Sequence, residues 1–419
     1  GMKHRRILGM LLAATSLPAL GAEYLPPEGI ALRVLAAQPD VRAAVAQAQA
    51  TAADGRALAV GGYEWEATLI PQRHTLEAAG SYREWEAQLV RRVRLPGKAG
   101  LDREIGRHAD IAASLRVDDA THQAARRLAA AWMGWLRSAL VAREAQAQQA
   151  LVVQARDALA RRVALGDAAR RELDRLDAEA AQARADALAA TAEAVSARQS
   201  LLAGFPGLPV PDQPPALPDP AGLPGGAAHW RELIVARSHE IGIANQDALR
   251  QDRVAARARA DRRPDPSIGL RVMEDRGGAE RTVGLVVSMP LGLRHRDEVA
   301  QREGALALAA QAEADGMRAM IEREARDATL AAEARLAQWQ ALQASADAQA
   351  VATTRTRRAW ELGEAPLGEW LLAQRDAHAA RMAAVRARVD ALEAALKVQV
   401  DSHALWHDDD EEPDGVPRG

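Results

Sequence analysis

The sequence predicts a mainly α fold with a small β part, a rod of long helices that carries short strands at one end. Three observations predict it. Aromatic residues make up only 3% of the 419 residues, so a core built on large rings is hard to supply and helices must approach one another through alanine. Two stretches, from about residue 101 to 162 and from about 298 to 361, sustain helical patterning for roughly 60 residues, far beyond an ordinary globular helix. Two pairs of short segments alternate apolar and polar residues with the period of a strand.

At the N-terminus Lys3, His4, Arg5 and Arg6 precede an apolar run from Ile7 to Leu20, and Ala19, Gly21 and Ala22 suit a cleavage site. Residues 1–22 therefore read as a secretory signal peptide, too short to span a bilayer, which takes roughly 20 apolar residues. Its removal takes away Lys3, Arg5 and Arg6 and no acid, so the net charge of −3 becomes −6. Basic and acidic side chains, 54 and 57 of them, are interspersed rather than blocked, which argues against a nucleic acid partner. The absence of Cys excludes disulfides, thiolate metal sites, cysteine nucleophiles and lipid attachment at cysteine. No later stretch is continuously apolar over the length of a spanning helix, so any further membrane contact must come from a closed β-barrel or a surface.

The mature chain opens with an alanine-rich amphipathic run from Asp40 and Val41 to about Val60, matched later by one from Glu240 and Ile241 to about Arg262. After the first run, Tyr63, Trp65, Ala67 and Leu69 alternate with Glu64, Glu66 and Thr68, and Trp85, Ala87, Leu89 and Val93 with Glu84, Glu86, Gln88 and Arg92. After the second, Ile268, Leu270 and Val272 are followed, beyond a turn at Gly277 and Gly278, by Val283, Leu285, Val287 and Met289. The long helices come next, each roughly 90 Å by the standard rise. They stop at matched marks, Leu165, Gly166, Asp167 and Leu362, Gly363, Glu364, where glycine after leucine ends a helix and the acid suits a restart. Returning helices run from about 168 to 203 and from about 366 to 405. One opening plus one returning helix nearly equals one long helix, so two short helices stacked end to end would flank each long one. The chain thus divides into a first repeat at 23–203, a Pro/Gly-rich linker at 204–229, a second repeat at 230–406 and an acidic, disordered tail at 407–419.

Four short strands cannot close a sheet, and an open sheet with an apolar face invites aggregation. A transmembrane barrel uses strands of about 9–11 residues, apolar on one face and polar on the other, with aromatic girdles at the interfaces. Tyr63, Trp65 and Trp85 fit the girdle, and Glu64, Glu66, Glu84 and Glu86 fit a water-filled lumen. Closure would require several copies of the chain. A soluble antiparallel sheet packed on helices is the alternative.

In the order and duplication of these elements, over essentially the whole mature chain, the sequence resembles the outer membrane efflux protein family, the TolC-like exit ducts, and most of all its CzcC- and CusC-type heavy-metal branch. The resemblance implies a homotrimer with a 12-stranded transmembrane β-barrel, four strands per chain, and a long periplasmic α-helical barrel. It implies a passive outer membrane channel of a tripartite efflux system, with heavy-metal cations as one candidate cargo. The implied partners are a periplasmic adaptor (membrane fusion) protein, an inner-membrane RND-type pump and outer membrane lipid. Leu165, Gly166, Asp167, Leu362, Gly363 and Glu364 would form the tip that docks the adaptor, a plain interhelix turn being the alternative. Glu172 and Glu369, six residues beyond each tip glycine, would form an acidic ring acting as gate and cation filter, a solvated helix face being the alternative. Leu372 stands where a further family acid can occur, so Asp174 or Asp376 would have to compensate.

His403 and His407 lie four apart, on one face if helical, ahead of an acidic run from Asp408 to Glu412, and could hold a divalent metal. A solvated acidic tail is the alternative. Trp132, Trp135, Trp339, Trp360 and Trp370 read as packing residues. There is no glycine-rich phosphate loop, zinc-protease helix motif or Gly-x-Ser-x-Gly elbow, so neither catalysis nor a cofactor is expected. The competing function class is a soluble periplasmic coiled-coil scaffold or metal-sequestering protein.

Overall fold

The computed structural model describes residues 22–77 and 80–407; the apolar N-terminal run and the acidic run after His407 lie outside the described residues. The first repeat holds α1 (Glu28–Ala36), α2 (Pro39–Val60), β1 (Trp65–Leu76), β2 (Gly80–Arg92), α3 (Lys98–Ala164) and α4 (Arg170–Gly204). The second holds α5 (Gly226–Arg237), α6 (His239–Ala260), β3 (Ser267–Asp275), β4 (Glu280–Ser288), α7 (Leu293–Glu361) and α8 (Leu367–Asp401). Pro39 starts α2 with a backbone angle already suited to a helix, and the Ser238 hydroxyl caps α6 by accepting from the Ile241 N–H at 3.2 Å. With 67 and 69 residues, α3 and α7 are each about 100 Å long.

Side-chain bonds fix how the short helices share the long ones. Asp40 at the start of α2 pairs with Arg127 in the middle of α3, whereas Arg156 Nε bonds Asp177 of α4 at 2.7 Å, so α2 and α4 follow each other along α3. In the second repeat, Gln251 of α6 donates to Glu303 at 2.7 Å, and Thr353 of α7 to the Ala373 carbonyl of α8 at 2.8 Å. Contacts of α3 with α6 and α8 join the repeats. The core between the helices is largely alanine, as composition requires, with its larger side chains gathered in three places, one of them Ile234, Ile241, Ile321 and Val398 where α5 and α6 meet α7 and α8. Trp132, Trp135, Leu136, Leu201, Phe205 and Leu396 fill the middle of the rod, and Leu159, Leu176, Trp360 and Trp370 fill its far end.

The proline-rich joint is shorter than the sequence suggested, because α5 begins at Gly226 inside the expected linker. Its residues lie along the rod as a strap held by two arginines in the same way. Arg198 donates to the Val210 and Pro211 carbonyls and to Asp212, while Arg388 donates to the Leu217 and Pro218 carbonyls and to Asp219. Neither α1 nor α5 stood out in the sequence, α1 because its apolar stripe runs over only 9 residues and α5 because its 12 residues carry no strong stripe.

The four strands form one antiparallel sheet in the order β1-β2-β3-β4. Cross-strand partners share a face, and the register sets Leu69 against Ala87, Leu89 against Leu270 and Leu270 against Leu285. Among the described residues, no helix is long and apolar enough to cross a membrane.

Candidate functional site

Three places carry the residues that the sequence singled out. The first is the far end of the rod. Gly166 and Gly363 have φ of +81° and +77°, the left-handed region where a β-carbon is penalised, and each closes its helix with the same pair of bonds. The Asp167 N–H reaches the Arg162 carbonyl at 2.8 Å, and the Glu364 N–H reaches the Ala359 carbonyl at 2.8 Å. A β-carbon added at either glycine would meet nothing within 4 Å. Leu165 and Leu362 stand out into solvent at 76% and 57% exposure, while Trp360 stacks on Trp370 directly beneath, with ring centroids 4.7 Å apart. The structure therefore brings all six tip residues to one end of two helical hairpins that share a packed core. Glu172 and Glu369 occupy the same place in the first turns of α4 and α8, where the helix dipole favours a carboxylate. Glu369 is exposed and Glu172 half-buried.

The second place is the sheet. Leu69, Leu270, Val283, Leu285 and Val287 line one face, with Leu285 78% and Val287 69% exposed and, among the described residues, no element over them. The opposite face is polar: Glu84 accepts from Gln72 at 3.2 Å and lies 3.2 Å from His74 Nδ1, and Arg271 donates to Glu86 at 2.7 Å. Trp65 and Trp85 share the apolar face, and the register places them about 20 Å apart along the strands. Tyr63 differs from the expectation. It precedes β1, and its hydroxyl donates to Asp265 Oδ2 at 2.9 Å under the Arg94 guanidinium. The pull of that buried polar partner explains why the strand starts two residues later than the alternation suggested.

Asp265 belongs to an ion network that the sequence did not reveal. Lys98, only 2% exposed at the start of α3, sends its ammonium to Asp261 and Asp265, each at 2.8 Å, and to the Arg263 carbonyl at 2.7 Å. Arg257 Nε bonds Asp102 at 2.7 Å, and Arg94 bonds Asp102 at 3.0 Å. Burial opposes ionisation of Asp265, but hydrogen bonds from Lys98, the Leu95 N–H and Tyr63 outweigh it and hold the carboxyl below its ordinary range. No periodicity marks this network, since Lys98 and Asp265 are far apart in sequence and meet only where the helices of both repeats enter the sheet.

The third place concerns the two tail histidines. They are not on a helical face: α8 ends at Asp401, and His403 lies buried in the turn beyond it with φ of +56°. Its ring stacks on His239 at 4.3 Å and on His407 at 4.9 Å between centroids, and His122 meets it edge-on at 4.6 Å. Burial above all pushes the His403 pKa down to about 2 and those of His239 and His122 to about 4, which leaves these rings neutral near neutral pH. His122 and His239 went unnoticed in the sequence because nothing but the end-to-end stacking of α6 and α8 along the long helices brings them to the C-terminal pair.

No family model and no curated protein matches the sequence. Solved structures do. A membrane protein from Pseudomonas aeruginosa superposes with a TM-score of 0.75 at 16% identity over 96% of both chains. The outer-membrane channel OprN gives a TM-score of 0.74 at 19% identity over 90% of both chains. CusC, described for conformational changes accompanying folding and transmembrane channel formation, gives 0.73 at 14% identity over 90% of this chain and 91% of its own. CusC does not stand apart from the other two.

Proposed function

Because its fold is that of the TolC-like outer membrane channels, with four strands supplied by one chain, we propose that this protein is the outer membrane exit duct of a tripartite efflux system. One observation carries the proposal. The sheet has an uncovered apolar face, a polar opposite face and two free edges at β1 and β4, which suits neither a monomer in water nor a monomer in lipid. Three copies joined edge to edge give a closed barrel of twelve strands, apolar outside and wet inside. The helices then extend into the periplasm, and passage is passive, with no chemical step on the cargo and the energy supplied by an inner-membrane RND-type pump.

In this reading the exposed leucines at the two glycine turns face the hairpin of a periplasmic adaptor. Glu172 and Glu369, repeated by the trimer axis near that end, form a ring that admits cations, heavy-metal cations among them. Cell fractionation and planar-bilayer recording test the proposal. The protein is expected in the outer membrane fraction and to form cation-selective pores, with selectivity reduced in Glu369→Gln. Recovery in the soluble periplasm without detergent would instead favour a helical scaffold, and unchanged cation selectivity in Glu369→Gln would remove the filter role.

A further inference from the structure

The four imidazoles lie at a particular seam. Along α7 the second repeat lays α8 and then α6 end to end, and His403 and His407 leave the end of α8 where His239 begins α6. The corresponding seam of the first repeat, where α4 meets α2 along α3, is closed by Leu201, Phe205, Leu208 and Val41. Apolar side chains therefore suffice to close such a joint, and packing alone gives no reason for histidines at the other.

We propose that His239, His403 and His407 bind a single divalent late first-row transition-metal ion, of the zinc or copper kind, that fastens the end of α8 to the start of α6. The three side chains offer ring nitrogens that all lie within 4.8 Å of one another. His239 Nδ1 is buried without a hydrogen-bond partner, in a residue 8% exposed, so the site already contains a desolvated lone pair or N–H with nothing to meet. The backbone is bent at a cost to hold the arrangement. His403 and Trp406 have φ of +56° and +55°, and His403 sits at the helix-ending position that glycine ordinarily takes, its neighbour Ala404 N–H closing on the Gln399 carbonyl at 2.9 Å.

The donor set decides the kind of ion. Three imidazoles and no thiolate suit zinc, copper, nickel or cobalt, whereas calcium and magnesium require oxygen. Donors around a tetrahedral ion at about 2.0 Å sit about 3.3 Å apart, so binding turns the stacked rings edge-on to one point by a small side-chain rotation and leaves one position for water. The C-terminal end of α8 favours a cation there. Asp401 does not compete for it, because its carboxylate is taken by Arg126 at 2.7 Å and Lys397 at 2.6 Å.

The test uses the whole protein without a polyhistidine tag, extracted in detergent, stripped with chelator and titrated with Co2+ and then Zn2+. The expected result is one Co2+ per chain with the intense visible absorption of a tetrahedral site, bleached by one equivalent of Zn2+, and a melting temperature raised by Zn2+. Two variants separate binding from folding. His403→Gly relieves the left-handed strain, which offsets part of the cost of deleting a buried ring, so the metal-free protein should still fold with a cooperative melt, yet its affinity should fall at least about 100-fold. His407→Gln should lose the cobalt spectrum in the same way. The absence of saturable binding at one ion per chain overturns the proposal, as does binding that survives unchanged in both variants.

Discussion

Placing leucine at both Gly166 and Gly363 is expected to abolish export in an otherwise functional efflux strain while the protein still reaches the outer membrane. Each glycine has a left-handed backbone that costs any side chain about 1–2 kcal/mol, a penalty that alanine and leucine share closely. A β-carbon at either position meets nothing within 4 Å, so alanine fits without displacing this chain's own atoms, and matching melting temperatures of the two double variants check that leucine does too. At matching melting temperature, whatever separates the leucine pair from the alanine pair comes from something that approaches the tip from outside. The expectation is that Gly166→Ala with Gly363→Ala keeps most adaptor crosslinking, and that the leucine pair loses it along with export at a similar melting temperature. Equal export by the two double variants would show that nothing docks on these turns.

The largest stability effect should come from Lys98→Met. Its ammonium meets three acceptors within 2.8 Å at 2% exposure, and removing it leaves Asp265 buried without its countercharge. Breaking a buried pair costs about 3–5 kcal/mol, and the half-exposed Asp261 places this site at about 3 kcal/mol. The pH dependence has a definite sign. Asp265 and Asp261 titrate below their ordinary value of 3.8 in the fold, so the network contributes fully above that value and is lost as pH falls through the lowered one. Denaturant unfolding of parent and Lys98→Met should accordingly differ most from pH 5 upward (on the order of 3 kcal/mol) and converge below about pH 3.8. A difference that persists undiminished in acid would assign the effect to lost packing instead of lost charge.

Much of the fold was legible because its signals are local. The Leu-Gly marks at 165–166 and 362–363 sit at the ends of α3 and α7, and strand alternation located the apolar face from Leu69 to Leu285. Matched helix lengths carried the end-to-end arrangement, since α2 and α4 share α3 as expected. What stayed hidden depends on contacts between distant residues. The Lys98 network joins the two repeats across more than 160 positions, and Tyr63 was drawn out of the strand by Asp265. The histidine seam was misjudged for a related reason. An acidic run directly after His407 suggested a solvated tail, but the turn at His403 folds back into the gap between α8 and α6, where burial outweighs the pull of the charged sequence.

Sedimentation equilibrium of the protein extracted in mild detergent, with the detergent density-matched, addresses the central claim directly, that the apolar sheet faces lipid only once copies share it. A mass of three chains is the expected result, together with a β-component in the circular dichroism spectrum that persists in the trimer. A single chain that sediments alone with its sheet intact would contradict the account.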